Sequence, residues 1–168
     1  LTLVVPSEKK LLLVLGEEKG RPELESVKAL WDEKGLLVTT LNMPKERELS
    51  RALRDGPWDV VHLITHGDRE KVFLGDTLDA EQLGNMISGH VRTACLLSFC
   101  NSGLRTLETG ERPGALLWRG VAQRLIASGV PNVLAWSNLA YIDDCARATP
   151  IWHEQYLKGK DPRIATYE

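Results

Sequence analysis

The fold is decided by the stretch WDVVHLITHG, residues 58–67. Its first seven residues are mostly apolar, and such a short apolar run is typical of a strand buried on both faces of a parallel sheet. The stretch then continues without a break into His66 and Gly67. We therefore expect a core strand whose carboxyl end carries a histidine and a glycine.

Outward from this strand, apolar segments alternate with amphipathic ones. Strands are predicted at residues 11–15, 36–41, 58–64, 94–99 and 132–136, and helices from Pro22 to the turn at Gly35 and at residues 44–55, 80–88, 115–128 and 143–157. We also predict a small hairpin at residues 72–78 and a polar loop at 101–114, and we expect Pro150 to kink the last helix or end it early. The alternation predicts a three-layer, doubly wound α/β fold whose mostly parallel sheet has the strand order 2-1-3-4-5.

The composition is typical of one soluble globular domain spanning residues 1–168. With 43% hydrophobic and 26% charged residues, the chain has enough apolar material for a core. Its net charge of −2 offers no basic field, so we expect this domain neither to bind nucleic acid directly nor to associate with membranes. The longest apolar run, residues 11–15, is far shorter than the roughly 20 residues of a membrane span.

The cysteines indicate the compartment. Cys95, Cys100 and Cys145 are odd in number and lack C-x-x-C spacing, which favours free thiols in the reducing cytoplasm. We interpret Cys95 and Cys145 as packing residues. Because the first residue is not methionine, we expect these residues to belong to a longer chain.

Two chemically capable side chains follow neighbouring predicted strands. His66 comes after the third strand and Cys100 after the fourth, and parallel strands of one sheet lie about 4.8 Å apart with their carboxyl ends at one edge. A cysteine nucleophile needs a neighbouring base to hold its thiolate, and a histidine can do this and later protonate the leaving amine. The spacing therefore predicts a Cys/His dyad.

Acyl transfer also needs backbone N–H groups that stabilise the oxyanion. Gly67 directly follows the histidine, and without a Cβ its backbone can approach a substrate carbonyl closely. We expect the N–H groups of Gly67 and Cys100 to form this oxyanion site.

These two motifs resemble those of a known family. The segments HLITHG (62–67) and LLSFCNSG (96–103) are similar to the His-Gly and Cys-Asn-Ser/Thr-Gly pair of the CHAT family, which are caspase-like cysteine peptidases related to caspases, separases, legumains and gingipains. The similarity extends over roughly residues 10–157 and includes Gly-Val-Pro before the last strand. It implies a caspase-like fold in which His66 is the general base and acid and Cys100 is the nucleophile.

The resemblance also implies partners. Members of this family typically form one domain of a bacterial chain with helical repeats or sensing modules, and several act in antiviral defence. A protein substrate and a regulatory sensor domain or partner protein are therefore expected.

Four further residues are candidates for the substrate pocket: Glu17, Trp136, Asp143 and Asp144. Acids in that pocket would favour an arginine or lysine before the scissile bond, because carboxylates bind guanidinium groups in bidentate fashion. Asp143 and Asp144 are equally explained as acids that stabilise a helix N-terminus, and Trp136 as a core residue. Both readings stay open at this point.

The remaining histidines have simpler interpretations. His62 lies inside the core strand and is interpreted as a hydrogen-bonded core histidine, whereas His90 and His153 are interpreted as surface residues. No histidines and carboxylates have metal-ligand spacing, so we expect neither a metal nor a cofactor.

Two other function classes compete with a peptidase. The chain could be a catalytically silent caspase-like domain that only docks a partner. A flavodoxin-like nucleotide or flavin site is less favoured, because the turn GEEKG at residues 16–20 lacks a phosphate-binding glycine pattern and carries acids where an anion would bind.

Overall fold

Five parallel strands form the central sheet in a computed structural model of the chain, which describes residues 8–68, 70–99, 120–136 and 142–163. The strands of this sheet are β1 (Lys10–Leu15), β2 (Leu37–Asn42), β3 (Trp58–Ile64), β7 (Val91–Ser98) and β8 (Val133–Ala135). Three further strands belong to a second sheet: β4 (His66–Gly67), β5 (Lys71–Phe73) and β6 (Thr77–Asp79). The α-helices are α1 (Arg21–Asp32), α2 (Glu46–Arg54), α3 (Ala80–Ile87), α4 (Val121–Ala127) and α5 (Ile142–Leu157), and a short 3-10 helix covers Glu18–Gly20.

The central sheet has the order β2-β1-β3-β7-β8, and each neighbouring pair is parallel. Counted along the chain within this sheet alone, that order is 2-1-3-4-5, so the predicted doubly wound fold is confirmed. The strands that precede His66 and Cys100, β3 and β7, are direct neighbours, with Ile64 opposite Ser98.

Alternating side chains of each strand feed two cores. On one face of β1, Leu12 and Val14 belong to a core that also contains residues of α2, α3 and α4. On the other face, Leu11, Leu13 and Leu15 belong to a core shared with α1 and α5. Because successive strand residues point to opposite faces, a strand covered by helices on both sides must be apolar throughout, as this one is.

The hairpin β5–β6 is confirmed and has a further role. It forms a separate three-stranded antiparallel sheet with β4, a strand of two residues that was not predicted from the sequence. The helix after it, α3, begins at a capping box in which Asp79 accepts from the Gln82 N–H at 2.8 Å.

Helices α4 and α5 correspond to the last two predicted helices. Helix α4 begins at Val121 with Gly120 as its N-cap, whereas residues 101–119, which held the predicted loop and helix start, lie outside the described residues. Helix α5 continues through Pro150 to Leu157, so the predicted end at residue 157 is confirmed and the alternative that the proline ends the helix early was wrong.

The continuation of α5 has a physical reason. An interior proline costs a helix about 3 kcal/mol, mainly through a lost hydrogen bond and a ring clash. Five side chains on both sides of the proline are buried on one face of the helix: Cys145, Thr149, Trp152, His153 and Tyr156. Their packing against the sheet and α1 outweighs that local cost.

Candidate active site

The chain leaves β3 at Ile64 and immediately places His66 and Gly67 in β4. In this strand His66 lies opposite Phe73 and Gly67 opposite Val72. The Thr65 hydroxyl donates to the Phe73 carbonyl just before β4, and the Asp68 N–H donates to the Lys71 carbonyl at 3.0 Å just after it. The hairpin therefore holds the histidine and the glycine at both ends.

The N–H of Gly67 is directed away from its partner strand. Antiparallel pairs alternate between hydrogen-bonded and non-hydrogen-bonded positions. Since Asp68 donates to Lys71, the preceding pair of Gly67 and Val72 is a non-hydrogen-bonded one. This N–H is thus not used by the β4–β5 ladder.

Gly67 also fits where a larger residue would not. A Cβ at this position would lie 2.8 Å from the Lys71 carbonyl oxygen and would collide with the Phe99 ring. Phe99 follows the end of β7 and is 2% exposed. The residue that precedes Cys100 in the sequence therefore packs against the glycine that follows His66.

His66 is paired with Glu17. The Nε2 atom of His66 lies 2.9 Å from Oε2 of Glu17, and the histidine side chain is 63% exposed against 18% for the glutamate. Glu17 lies in the turn after β1, and the N–H of Gly16 in that turn donates to the Ile64 carbonyl at 2.8 Å. The turn after β1 is thus fastened to the end of the strand that leads to His66.

Glu17 and His66 face a cavity of about 290 Å³ at the carboxyl edge of the sheet. It is lined by Glu17, Gly20, Glu23, Ile64, Thr65, His66, Ser98, Phe99, Ile142, Asp143 and Cys145. Three of these residues carry carboxylates, and none is a lysine or an arginine. The described lining therefore favours a cationic group over an anionic one.

The structure brings only part of the predicted pocket together. Glu17 and Asp143 line the cavity beside His66. Trp136 instead lines a second, mostly apolar cavity of about 490 Å³ between β8 and α5. Asp144 lies in the first turn of α5, as a helix N-terminal acid, and lines neither cavity. Cys100, predicted as nucleophile and oxyanion donor, lies outside the described residues.

Beneath the cavity lies a polar network that the sequence analysis missed in large part. Oε1 of Glu23, a residue 1% exposed, accepts from the Ser98 hydroxyl at 2.7 Å and from the Thr149 hydroxyl at 2.6 Å. The same oxygen lies 3.1 Å from Nε2 of His62. One carboxylate thus joins α1, β3, β7 and α5.

The network continues from His62 to a second buried histidine. Nδ1 of His62 lies 3.1 Å from Nε2 of His153, and Nδ1 of His153 lies 3.1 Å from the indole Nε1 of Trp31. An indole nitrogen can only donate, so Nδ1 of His153 must accept. The Nε2–H of His153 then donates to Nδ1 of His62, whose own Nε2–H is directed at the Ser98 hydroxyl oxygen and at Oε1 of Glu23, 2.9 and 3.1 Å away. Each hydrogen bond in the series from Trp31 through His153 and His62 is therefore donated in the direction of the Glu23 carboxylate.

Two ionisable groups in this network have shifted pKa values. Burial, together with the neighbouring His62, holds the pKa of His153 well below its ordinary value. Burial alone would raise the pKa of Glu23, but the hydrogen bonds from His62, Thr149 and Ser98 and the electrostatic interaction with His62 outweigh it and lower that pKa. The geometry and the pKa directions both favour neutral His153 and ionised Glu23.

The prediction of His62 as a hydrogen-bonded core histidine is confirmed. The interpretation of His153 as a surface residue was wrong, since this side chain is fully buried.

The sequence does carry a signal for the two residues of the network whose burial was not predicted, Glu23 and His153. Glu23 precedes Val27 by four positions and Trp31 by eight, and His153 follows Thr149 by four, so each falls on the buried stripe of its helix.

The described cysteines are both buried. Cys95 lies in β7, fully buried, and burial raises the pKa of its thiol to about 12. Cys145 is 3% exposed and lies at the wall of the cavity. The packing role predicted for Cys95 is confirmed.

The described residues contain neither a membrane-spanning helix nor a cluster of metal ligands. No helix there is long and apolar enough to cross a membrane. No group of three or more histidine, cysteine, aspartate or glutamate side chains in those residues could hold a metal ion.

The sheet order and the histidine–glycine pair at its carboxyl edge define a three-layer α/β domain of the caspase-like class. The family model described as CHAT domain matches residues 7–149. The chain therefore belongs to the CHAT domain family and is a domain of the caspase-like peptidase class.

Other comparisons add little. A putative pilus assembly-related protein from Burkholderia pseudomallei is 16% identical, with 89% of this chain and 93% of that chain covered and a TM-score of 0.39. A flavodoxin from the domain Archaea is 13% identical, with 89% and 99% covered and a TM-score of 0.41. No curated protein matches the sequence. At this level of similarity neither structure bears on the function of this chain.

Proposed function

We propose that this chain is a cysteine endopeptidase domain in which Cys100 is the nucleophile and His66 is the general base and acid. The observation that carries the proposal is the placement of His66 and Gly67 in a braced strand at the carboxyl edge of the sheet. His66 lines a cavity, and Gly67 packs against Phe99 at the end of β7, after which Cys100 follows in the sequence.

The reaction has two halves. The Cys100 thiolate attacks the scissile carbonyl carbon, and the tetrahedral intermediate expels the amine, which takes a proton from the His66 imidazolium. This leaves a thioester on Cys100. His66 then removes a proton from water, the hydroxyl adds to the thioester carbon, and the carboxylic acid leaves as the thiolate is restored.

The oxyanion of each intermediate needs fixed donors. The N–H of Gly67, which the β4–β5 ladder does not use, supports its assignment as one donor. The N–H of Cys100 is assigned as the second donor.

The substrate is a protein segment bound in extended form along the strand ends. The acidic lining of the cavity supports a preference for arginine or lysine before the scissile bond, with Asp143 at the cavity wall. A sensor domain or partner protein regulates the activity, in bacterial antiviral signalling in the cytoplasm. The family assignment supports this part of the proposal.

Cleavage of a proteome-derived peptide library tests the dyad. Wild type is expected to generate new termini at a shared sequence, while Cys100→Ala and His66→Ala generate none. Cys95→Ala is the matched control, because Cys95 is a buried packing residue, and it should cleave like wild type. Cleavage that survives in Cys100→Ala would remove the proposed nucleophile.

Alkylation of the thiols tests activation without any substrate. Because burial raises the pKa of Cys95 to about 12, this thiol should stay unlabelled by iodoacetamide near pH 7 in the folded protein. Cys100 should label quickly, and His66→Ala should slow that labelling. Equally slow labelling of both cysteines in wild type would contradict a thiolate at Cys100.

A further inference from the structure

We propose that Glu17 is a positioning residue for His66, so that the dyad is extended to Cys100, His66 and Glu17. The inference rests on the proposed peptidase function and assigns Glu17 a different role from the substrate contact predicted from the sequence. It starts from the 2.9 Å separation of Oε2 of Glu17 and Nε2 of His66.

This contact selects one form of the imidazole. A carboxylate can only accept, so the proton of neutral His66 resides on Nε2 and points to Glu17. The other nitrogen, Nδ1, is then the basic one. When the imidazolium forms during the reaction, the carboxylate stabilises its positive charge. A side chain that is 63% exposed would otherwise be free to change both its orientation and its tautomer.

The backbone around Glu17 is fixed rather than adaptable. Its own carbonyl accepts from the Gly20 N–H at 3.0 Å, and the preceding residue, Gly16, is bonded to the Ile64 carbonyl. A Cβ on Gly16 would collide with the Thr65 side chain, so the turn after β1 packs closely against the segment that leads to His66. The glutamate and the histidine are therefore held by two turns that meet at the end of β3.

The other acids that face this cavity are placed differently. Glu23, from α1, is engaged by the side chains of Ser98, Thr149 and His62. Asp143 belongs to the first turn of α5 and is exposed. Of the described carboxylates lining the cavity, Glu17 is the one in an ion-pair contact with His66.

Kinetics of Glu17→Gln and Glu17→Asp on a peptide that wild type cleaves test the proposal. Glu17→Gln should lower kcat by about 10- to 100-fold with KM little changed, because the ring loses its fixed orientation. Glu17→Asp should recover part of the rate. Glu18→Gln is the matched control: Glu18 is adjacent but pairs with Arg21, so its kcat and KM should equal those of wild type.

A second readout does not depend on turnover. The ¹⁵N–¹H spectrum of the histidine rings in Cys100→Ala should show neutral His66 protonated at Nε2, and a mixture of tautomers once Glu17→Gln is added. An unchanged tautomer together with an unchanged kcat would overturn the positioning role. A raised KM at constant kcat would also overturn it, since Glu17 would then contact substrate.

Failure of the underlying function has a different signature. Wild type that cleaves nothing in a Cys100-dependent way would reject the peptidase and this role together. Cys100-dependent cleavage with Glu17→Gln indistinguishable from wild type would reject the positioning role alone.

Discussion

The described residues include two histidine–glutamate pairs whose histidines are four residues apart along the chain, one pair buried and the other largely exposed. His62 and Glu23 are 3.1 Å apart, with side chains 0% and 1% exposed. His66 and Glu17 are 2.9 Å apart, with side chains 63% and 18% exposed. The two contacts have similar geometry and nearly the same chemistry, so their surroundings decide what each pair can do.

The difference arises where β3 ends. His62 is inside the strand, on the face covered by α1 and α5, and its network joins those helices to β3 and β7. His66 lies beyond the strand end and belongs to β4, where the hairpin supports it and its side chain is 63% exposed. A buried pair stabilises the fold, whereas only an exposed one can meet a substrate.

The largest expected effect is a loss of folding stability when the buried pair, but not the exposed pair, is broken. Glu23→Ala leaves the protons of His62, Ser98 and Thr149 without their acceptor, so the free energy of unfolding should fall by about 3–5 kcal/mol. Glu17→Ala is the matched control and should change it by less than about 1 kcal/mol, because water screens an exposed pair. Urea denaturation followed by circular dichroism measures both. Equal losses would mean that burial does not distinguish the pairs.

An intermediate effect is expected at the backbone beside the exposed pair. The added methyl of Gly67→Ala must displace Phe99 or the Lys71 carbonyl, which should cost about 1–3 kcal/mol and abolish cleavage. Gly35→Ala is the control. Gly35 has a φ of +66° and no neighbour within 4 Å of an added Cβ, so it should lose about 1 kcal/mol of stability but keep its activity. Full activity in Gly67→Ala would contradict the role of this glycine.

The smallest expected effect is a pH dependence of the free energy of unfolding that arises from His153 and Glu23, the two partners of His62. Unfolded His153 titrates near pH 6.5, whereas its pKa in the fold is well below that value, so the unfolded chain binds a proton that the folded chain does not. The stabilisation is therefore complete above about pH 6.5 and is lost on acidification, by at most about 1.4 kcal/mol per pH unit. The lowered pKa of Glu23 adds a further loss below about pH 4.5.

The measurement is the free energy of unfolding of wild type and His153→Leu at several values between pH 8 and pH 5. His153→Leu should be less stable at pH 8, since Trp31 loses its acceptor, but its stability should fall less steeply with acid. Parallel curves for the two proteins would show that His153 takes up its proton equally in both states.

Much of the fold followed from local patterns. Runs such as residues 11–15 are apolar because both faces of the strand are covered, and that pattern together with right-handed crossovers gave the order of the sheet. The apolar pattern predicted that α5 reaches residue 157, but the chemistry of proline also left a kink or an early end at Pro150 open, and packing on both sides of the proline decided for continuation. Strand β4 was missed because two residues carry no periodicity.

The same distinction between local pattern and tertiary packing applies to the candidate site. The sequence by itself determined the fold class and the two strands whose ends carry His66 and Cys100, since hydrophobic periodicity and strand adjacency are local or topological properties. Tertiary structure alone decided that Glu17 contacts His66, that Trp136 faces another cavity, and that Glu23 and His153 are buried partners of His62. Those contacts join residues far apart in the chain, and their distances depend on how turns and helices pack, which no pattern within a single segment encodes.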